Sequence, residues 1–79
     1  MNKVLLIDDE PCVAEAVQHV LKGYKIVPAT SAAEGIVAAS SDDFQVVVVD
    51  LKMPGASGLE VVQKLHATRP RLPVILMTG

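Results

Sequence analysis

Three stretches of the sequence place oxygen-bearing side chains directly after an apolar run, where they could do chemistry. These side chains are Asp8 and Asp9 after the first run, Asp50 after four consecutive valines, and Thr78 after the last run. If the runs are parallel strands, their carboxyl ends share one edge of a sheet, which is where open α/β sheets bind ligands. We therefore expect three carboxylates and one hydroxyl to converge at that edge.

Clustered carboxylates either raise a pKa or recruit a cation. Every donor in this set is an oxygen, which suits a hard divalent ion such as Mg²⁺ better than zinc or copper. A carboxylate beside such an ion can attack a phosphoryl group and form an acyl phosphate. The nearby ion offsets the repulsion between that carboxylate and the phosphate oxygens.

Each of these motifs taken alone has a simpler interpretation. An acidic pair after a strand most often only supplies favourable charge to the N-terminus of the next helix. Asp50 followed by Met53 and Pro54 could be an ordinary turn, and Thr78 could be a strand end without a role. The occurrence of all three motifs at the ends of separate predicted strands favours a functional site.

Strands and helices that alternate along the chain must position these side chains. Strands are predicted at 3–7, 25–29, 46–49 and 72–77, and Pro28 favours an edge position for the second. The valines of the third strand predict burial on both faces. Helices are predicted to begin at Pro11, at the capping box Ser31–Glu34, and at Leu59. Their apolar stripes are expected to contain Val13, Ala16, Val17, Val20 and Leu21 in the first helix and Leu59, Val62, Leu65 and His66 in the third.

The totals indicate one small domain that spans residues 1–79. The chain is 51% hydrophobic and 20% charged with a net charge of -2, which argues against nonspecific binding of nucleic acid. The single cysteine, Cys12, cannot form an internal disulfide and fits a cytoplasmic location. No apolar run approaches the roughly 20 residues that span a bilayer, so no membrane contact is expected.

In this order and spacing, the motifs resemble the receiver domain of response regulators in bacterial two-component signalling. The resemblance covers the whole chain and depends on the acidic run 8–10, the stretch 50–55, Gly58 and the final stretch 73–79. It implies an α/β fold of the flavodoxin-like type, with a doubly wound parallel sheet, element order βαβαβαβ and strand order 2-1-3-4.

The resemblance also implies a role for each candidate residue. Asp50 would accept a phosphoryl group from the phosphohistidine of a histidine kinase, and the partner would be such a kinase or a phosphotransfer protein. The chain would then be a signalling domain and not an enzyme. Asp8 and Asp9 would hold Mg²⁺ together with Asp50 and the backbone carbonyl of Lys52. Thr78 would be the switch hydroxyl that bonds the phosphoryl oxygen once Asp50 is modified.

Receivers of this family ordinarily have five βα units, and this sequence is expected to lack helix four, strand five and helix five. The family lysine at the end of strand five would be absent, since Lys52 is not its equivalent. The edge of strand four and parts of the sheet faces would then be uncovered. Uncovered apolar edges promote pairing between chains, so a homo-oligomer is expected if the chain is not a fragment.

Three other functions are less consistent with the residues. A phosphatase of the haloacid-dehalogenase type needs a second aspartate two residues after the nucleophile, where this chain has Lys52. An FMN carrier needs a phosphate loop rich in serine, threonine and glycine after the first strand, where this chain has acids. A self-associating scaffold without phosphorylation is favoured only by the expected truncation.

Overall fold

The computed structural model describes residues 2–53 and 57–77, and no helix among them is long and apolar enough to cross a membrane. Within these residues, four strands and three helices alternate. The strands are β1 (Lys3–Ile7), β2 (Lys25–Ala29), β3 (Val46–Asp50) and β4 (Val74–Met77). The helices are α1 (Pro11–Val20), α2 (Ala32–Ser41) and α3 (Gly58–Thr68).

The four strands form one parallel sheet in the order β2-β1-β3-β4, which confirms the predicted fold class and strand order. Pro28 lies in the edge strand β2, where its missing N–H does not interrupt a ladder between two neighbours. All four strands run in the same direction, so the carboxyl ends of β1 and β3 lie at one edge of the sheet. This edge carries Asp8, Asp9 and Asp50.

Local sequence signals account for the starts of α1 and α2. Pro11 opens α1, where its lack of an N–H costs no helical hydrogen bond. Ser31 caps α2, because its hydroxyl oxygen accepts a hydrogen bond from the Glu34 N–H at 3.1 Å. The capping box that the sequence predicts is therefore half formed by this bond.

The two faces of the sheet are buried to different extents. Helices α2 and α3 cover the face that carries Leu5, Ile7, Val47 and Val49, and all four side chains are fully buried. The other face is covered by α1, whose apolar residues pack against Val4, Leu6 and Ile26. The main core of the protein therefore lies on the α2–α3 side.

This difference corrects the prediction that β3 is buried on both faces. Val47 and Val49 have no exposed surface, whereas Val46 and Val48 are only half-buried. Among the described residues α1 is the single helix on the second face, and it lies mainly against the edge strand β2. The apolar character of the valines therefore predicted the strand correctly but overestimated the burial of one face.

Two of the predicted helix stripes are also wrong in detail. In α1, Val20 is 79% exposed, and Ala14 packs inward in the place expected for Ala16. In α3, Leu59 is 60% exposed, and the buried stripe consists of Gly58, Val61 and Leu65. Both sets have helical spacing, so periodicity alone did not decide which set faces the sheet.

Candidate functional site

The carboxyl edge of the sheet brings three aspartates together. Asp8 and Asp9 directly follow β1, and Asp50 is the last residue of the neighbouring strand β3. Each contributes one carboxylate oxygen to a group in which all three oxygens lie within 4.8 Å of one another. An all-oxygen group of this kind could hold a hard divalent cation.

Backbone hydrogen bonds hold two of these carboxylates in place. Asp8 Oδ1 accepts a hydrogen bond from the Glu10 N–H at 2.9 Å, and Asp50 Oδ1 accepts one from the Lys52 N–H at 3.0 Å. In both cases the donor is two residues further along the chain, which is the arrangement of an Asx turn. The turns that end β1 and β3 therefore also fix the positions of Asp8 and Asp50.

The three carboxylates differ in their exposure to solvent. Asp8 is buried, with 7% of its surface exposed, whereas Asp50 is half-buried and Asp9 is exposed. Burial raises the pKa of the Asp8 carboxyl. The hydrogen bond from the Glu10 N–H lowers this pKa and so opposes part of the effect of burial, whereas the negative charges of Asp50 and Asp9 raise it further. The ionised cluster is thus electrostatically unfavourable, and a bound cation would relieve that repulsion.

The aspartates open into a cleft of about 430 Å³, which we call the carboxyl-edge cleft. Of the predicted site residues, the structure places Asp8, Asp9, Asp50 and Lys52 in its lining. Thr78 and the turn residues Pro54 and Gly55 lie outside the described residues.

Three further residues that sequence reasoning did not assign to the site also line the carboxyl-edge cleft: Glu10, Val13 and Met77. Glu10 could have been assigned to the cleft from the sequence, because it continues the acidic run that begins at Asp8. Met77 could have been assigned from the strand pattern, since it is the residue of β4 aligned with Asp50 in the sheet register. Val13 could only be placed once the position of α1 over the sheet was known.

The sequence matches the Response regulator receiver domain family over residues 4–79. It is 43% identical over 78 residues to the probable transcriptional regulatory protein TcrX of Mycobacterium tuberculosis. That match covers 96% of this chain and 33% of TcrX, so the chain spans about a third of the length of this relative. The fold and these matches define a receiver domain of two-component signalling, and the chain belongs to the response regulator receiver family.

Solved structures of receiver domains have the same fold. One of them is the crystal structure of response regulator protein TrrA from Thermotoga maritima in complex with Mg²⁺-BeF. It matches this chain with a TM-score of 0.90 and 34% sequence identity, over 99% of this chain and 70% of the TrrA chain. A second crystal structure contains TrrA in complex with the histidine kinase ThkA, with a TM-score of 0.90, 33% identity and coverage of 100% and 70%. Receiver domains are signalling domains, and this chain shares their architecture.

Replacing Asp8 with asparagine should stabilise the metal-free protein at neutral pH. Because the folded pKa of Asp8 is raised above its ordinary value of 3.8, the folded state loses stability as the pH rises from about that value through the folded pKa. An asparagine side chain cannot ionise, so the variant escapes this loss and should gain about 1 kcal/mol, an ordinary size for a single substitution. Urea unfolding in the presence of a chelator, from acid to neutral pH, measures the difference.

The matched control is Asp42→Asn, which should have the opposite sign. The hydrogen bond from Lys3 lowers the pKa of Asp42, so its ionised form is favoured in the folded state. Its contribution is present above the ordinary pKa and disappears as the pH falls through the lowered folded pKa. A contrary result would be that Asp8→Asn lowers the free energy of unfolding at neutral pH in the presence of chelator, as Asp42→Asn is expected to do. That result would contradict the conclusion that the ionised Asp8 carboxylate destabilises the metal-free fold.

Proposed function

We propose that this chain is a phosphoacceptor of two-component signalling, in which Asp50 takes the phosphoryl group and the acidic cluster binds Mg²⁺. One observation carries the proposal. Carboxylates at the ends of two neighbouring strands, β1 and β3, approach one another within 4.8 Å at the carboxyl edge of the sheet. A divalent cation would compensate the like charges at this separation. The family membership supports phosphoryl transfer to Asp50 as the reaction that uses such a cation.

Asp50 is the nucleophile of the proposed reaction. Its carboxylate is half-buried, lines the carboxyl-edge cleft, and is held by the Lys52 N–H. A carboxylate oxygen of Asp50 forms a bond to phosphorus while the bond between phosphorus and the donor atom breaks, and the leaving group keeps that electron pair. The product on the protein is an aspartyl phosphate.

The residues present fit a bound Mg²⁺. Asp8, Asp9 and Asp50 would supply carboxylate oxygens, and the backbone carbonyl of Lys52 would supply a further oxygen ligand. When bound, Mg²⁺ offsets the negative charge between the attacking carboxylate and the phosphoryl oxygens. The buried Asp8 would hold its charge more readily beside this ion, because the ion counters the effects that raise its pKa.

The proposed phosphodonor is the phosphohistidine of a histidine kinase. Support comes from the structural similarity to TrrA, which has been crystallised in complex with the histidine kinase ThkA. Thr78 follows β4 in the sequence and is proposed as the hydroxyl that bonds the phosphoryl oxygen after transfer. The lone Cys12 supports the cytoplasm as the compartment in which this exchange takes place.

Incubation with a small phosphodonor and Mg²⁺, followed by intact-mass measurement, tests the proposal. We expect the mass to rise by one phosphoryl group, and hydroxylamine should remove that group because acyl phosphates are labile to it. Omission of Mg²⁺ with addition of a chelator should prevent the modification. A sample that is folded by circular dichroism but stays unmodified with the donor and Mg²⁺ would overturn phosphoacceptance by this chain.

A second candidate function is a binding module that self-associates without phosphorylation. The observation that favours it is the exposure of two apolar side chains on β4 within the described part of the chain, where Ile75 is 54% and Leu76 is 40% exposed. A protein that associates through β4 and resists the phosphodonor would support this function over the first.

A further inference from the structure

The strand β2 has one side that faces β1 and one side that faces away from it, which we call the outer edge of β2. The Lys25 N–H donates to the Asn2 carbonyl at 2.7 Å, and the Ala29 carbonyl accepts from the Asp8 N–H at 3.0 Å. Lys25 and Ala29 therefore direct these backbone groups towards β1. Because backbone groups alternate between the two sides of a strand, the residues at positions 24, 26 and 28 direct theirs to the outer edge.

An exposed strand edge is a place where a second extended chain can add to a sheet. The added strand needs two kinds of backbone group on that edge, because its carbonyls need N–H donors and its N–H groups need carbonyls. Within β2, the outward N–H groups could come only from Ile26 and from residue 28. The availability of these two donors therefore decides whether the outer edge of β2 can pair.

Both outward donors of β2 are blocked. The Ile26 N–H donates to Gln18 Oε1 on α1 at 3.2 Å. Residue 28 is Pro28, whose ring takes the place of the N–H. Within Lys25–Ala29, all of which the structure describes, an approaching strand would meet outward carbonyls but no free N–H, so half of the hydrogen bonds of a ladder could not form.

The side chain of Gln18 makes the pair of hydrogen bonds that one residue of a neighbouring parallel strand would make. Its Nε2 donates to the Tyr24 carbonyl at 2.9 Å, while its Oε1 accepts from the Ile26 N–H. A residue of an adjacent parallel strand likewise donates to one carbonyl and accepts from the N–H two residues further along. The Gln18 carboxamide, which has the donor and the acceptor of a peptide group, thus occupies the position of a strand residue opposite Lys25.

The packing of α1 brings Gln18 to this edge. Val17 and Leu21 pack against the apolar cluster that includes Ile26, which sets the rotation of the helix over β2. Gln18 itself is exposed and lines a groove of about 350 Å³ between α1 and β2. Because Gln18 is exposed, apolar burial does not account for the position of its side chain, and the two bonds to the outer edge of β2 do.

We propose that Gln18 and Pro28 together close the outer edge of β2 against the addition of another extended chain. Each residue removes one of the two outward donors, Gln18 by bonding it and Pro28 by lacking it. The closure involves only residues 18–28 and is independent of phosphoryl transfer to Asp50. A variant in which both donors are free should therefore pair through β2, and a variant with one free donor should pair less.

Hydrogen exchange of single backbone amides tests whether Gln18 holds the Ile26 N–H. In Gln18→Met, which keeps a long unbranched side chain but has no carboxamide, the Ile26 amide should exchange at least about tenfold faster. The Lys25 amide, which bonds to β1, should keep its rate. An unchanged rate at Ile26, or an equal acceleration at Lys25, would overturn the role of Gln18.

The matched control for this measurement is His19→Met. His19 is the next residue of α1 and lines the same groove, so this variant introduces the same apolar side chain there. It leaves both hydrogen bonds of Gln18 in place, and the exchange rate of the Ile26 amide should stay as it is in the unaltered protein.

The closure itself is tested by the double variant Gln18→Met/Pro28→Thr, which has two free outward donors. Pro28 is exposed, so threonine can replace it without loss of core packing. Sedimentation at several concentrations, beside the unaltered protein, should show a larger average mass for the double variant, and each single variant should lie between the two. In the associated material the amides at positions 26 and 28 should become protected from exchange, which identifies β2 as the pairing edge.

Circular dichroism and urea unfolding establish that the variants are folded. A folded double variant whose mass equals that of the unaltered protein at every concentration would overturn the proposal. Association that leaves the amides at positions 26 and 28 unprotected would overturn it as well, because another surface would then be responsible. Neither result bears on the role of Asp50, which phosphoryl uptake tests separately.

Discussion

Replacing Asp50 with asparagine should abolish the phosphoryl uptake that a small phosphodonor and Mg²⁺ produce in the unaltered sequence. The amide group of asparagine lacks the negative charge that makes a carboxylate oxygen nucleophilic. Its size is nearly the same, and its oxygen can still accept the Lys52 N–H bond that holds Asp50 Oδ1. The fold should therefore persist while the mass increase falls from a full phosphoryl group to none, as measured by intact-mass spectrometry.

Asp43→Asn is the matched control for this substitution. Asp43 is an exposed aspartate just before β3, so it lies at the amino edge of the sheet, and it pairs with Arg69 at 2.9 Å. Its removal changes the net charge of the protein by the same amount but leaves the carboxyl-edge cleft intact, so phosphoryl uptake should be retained. Full uptake by Asp50→Asn would mean that another side chain is the acceptor, and the proposed function would need a different nucleophile.

The position of the three aspartates could be predicted because it follows from strand direction alone. Once Val4–Ile7 and the valines of β3 are taken as parallel strands, the residues after them must share an edge. The strand order was available from the family resemblance, and Pro28 independently favoured the edge position of β2. The shared edge of the aspartates needs only sequence order and strand direction, and it does not depend on how the helices pack.

Burial could not be predicted in the same way, because it depends on what lies above each face. Val46 and Val49 are the same amino acid in one strand, yet Val49 is fully buried and Val46 is not. Within the described residues, two helices cover the face of Val49 and one covers the face of Val46. Asp8 and Asp9 are adjacent and chemically identical, but Asp8 is buried and Asp9 is exposed. The composition of the sequence contains no signal for either difference.

The wrong stripe in α3 has a specific cause. Leu59 and Val62 are the larger apolar candidates, and glycine contributes no apolar side chain to a periodic pattern. The helix nevertheless turns Gly58 towards β3, because only a residue without a side chain fits against the backbone that follows Asp50. The face of α3 that is turned towards the sheet therefore depends on the close approach of Gly58 to the backbone of Leu51. Periodicity in the sequence does not reveal that approach.

Gly58→Ala should destabilise the protein and slow phosphoryl uptake by the molecules that remain folded. A Cβ at this position would lie 2.7 Å from Leu51 Cδ2 and 3.0 Å from Leu51 Cα, closer than ordinary contact. Because Leu51 Cα is backbone, relief requires α3 or the turn after β3 to move, and overpacking of this kind costs about 1–3 kcal/mol. Leu51 directly follows Asp50, so that movement would also displace the nucleophilic carboxylate. Reaction rates are sensitive to small displacements of a reacting group.

Gly23→Ala separates the two effects. Gly23 has a φ of 92°, which an alanine adopts only with strain, but a Cβ there would meet nothing within 4 Å. This variant should lose stability by about 1 kcal/mol in urea unfolding and keep the normal rate of phosphoryl uptake in its folded fraction. If the two variants slowed uptake equally at equal folded fractions, general destabilisation would explain the result. A slower rate in Gly58→Ala alone would mean that the contact between Gly58 and Leu51 positions Asp50 for attack.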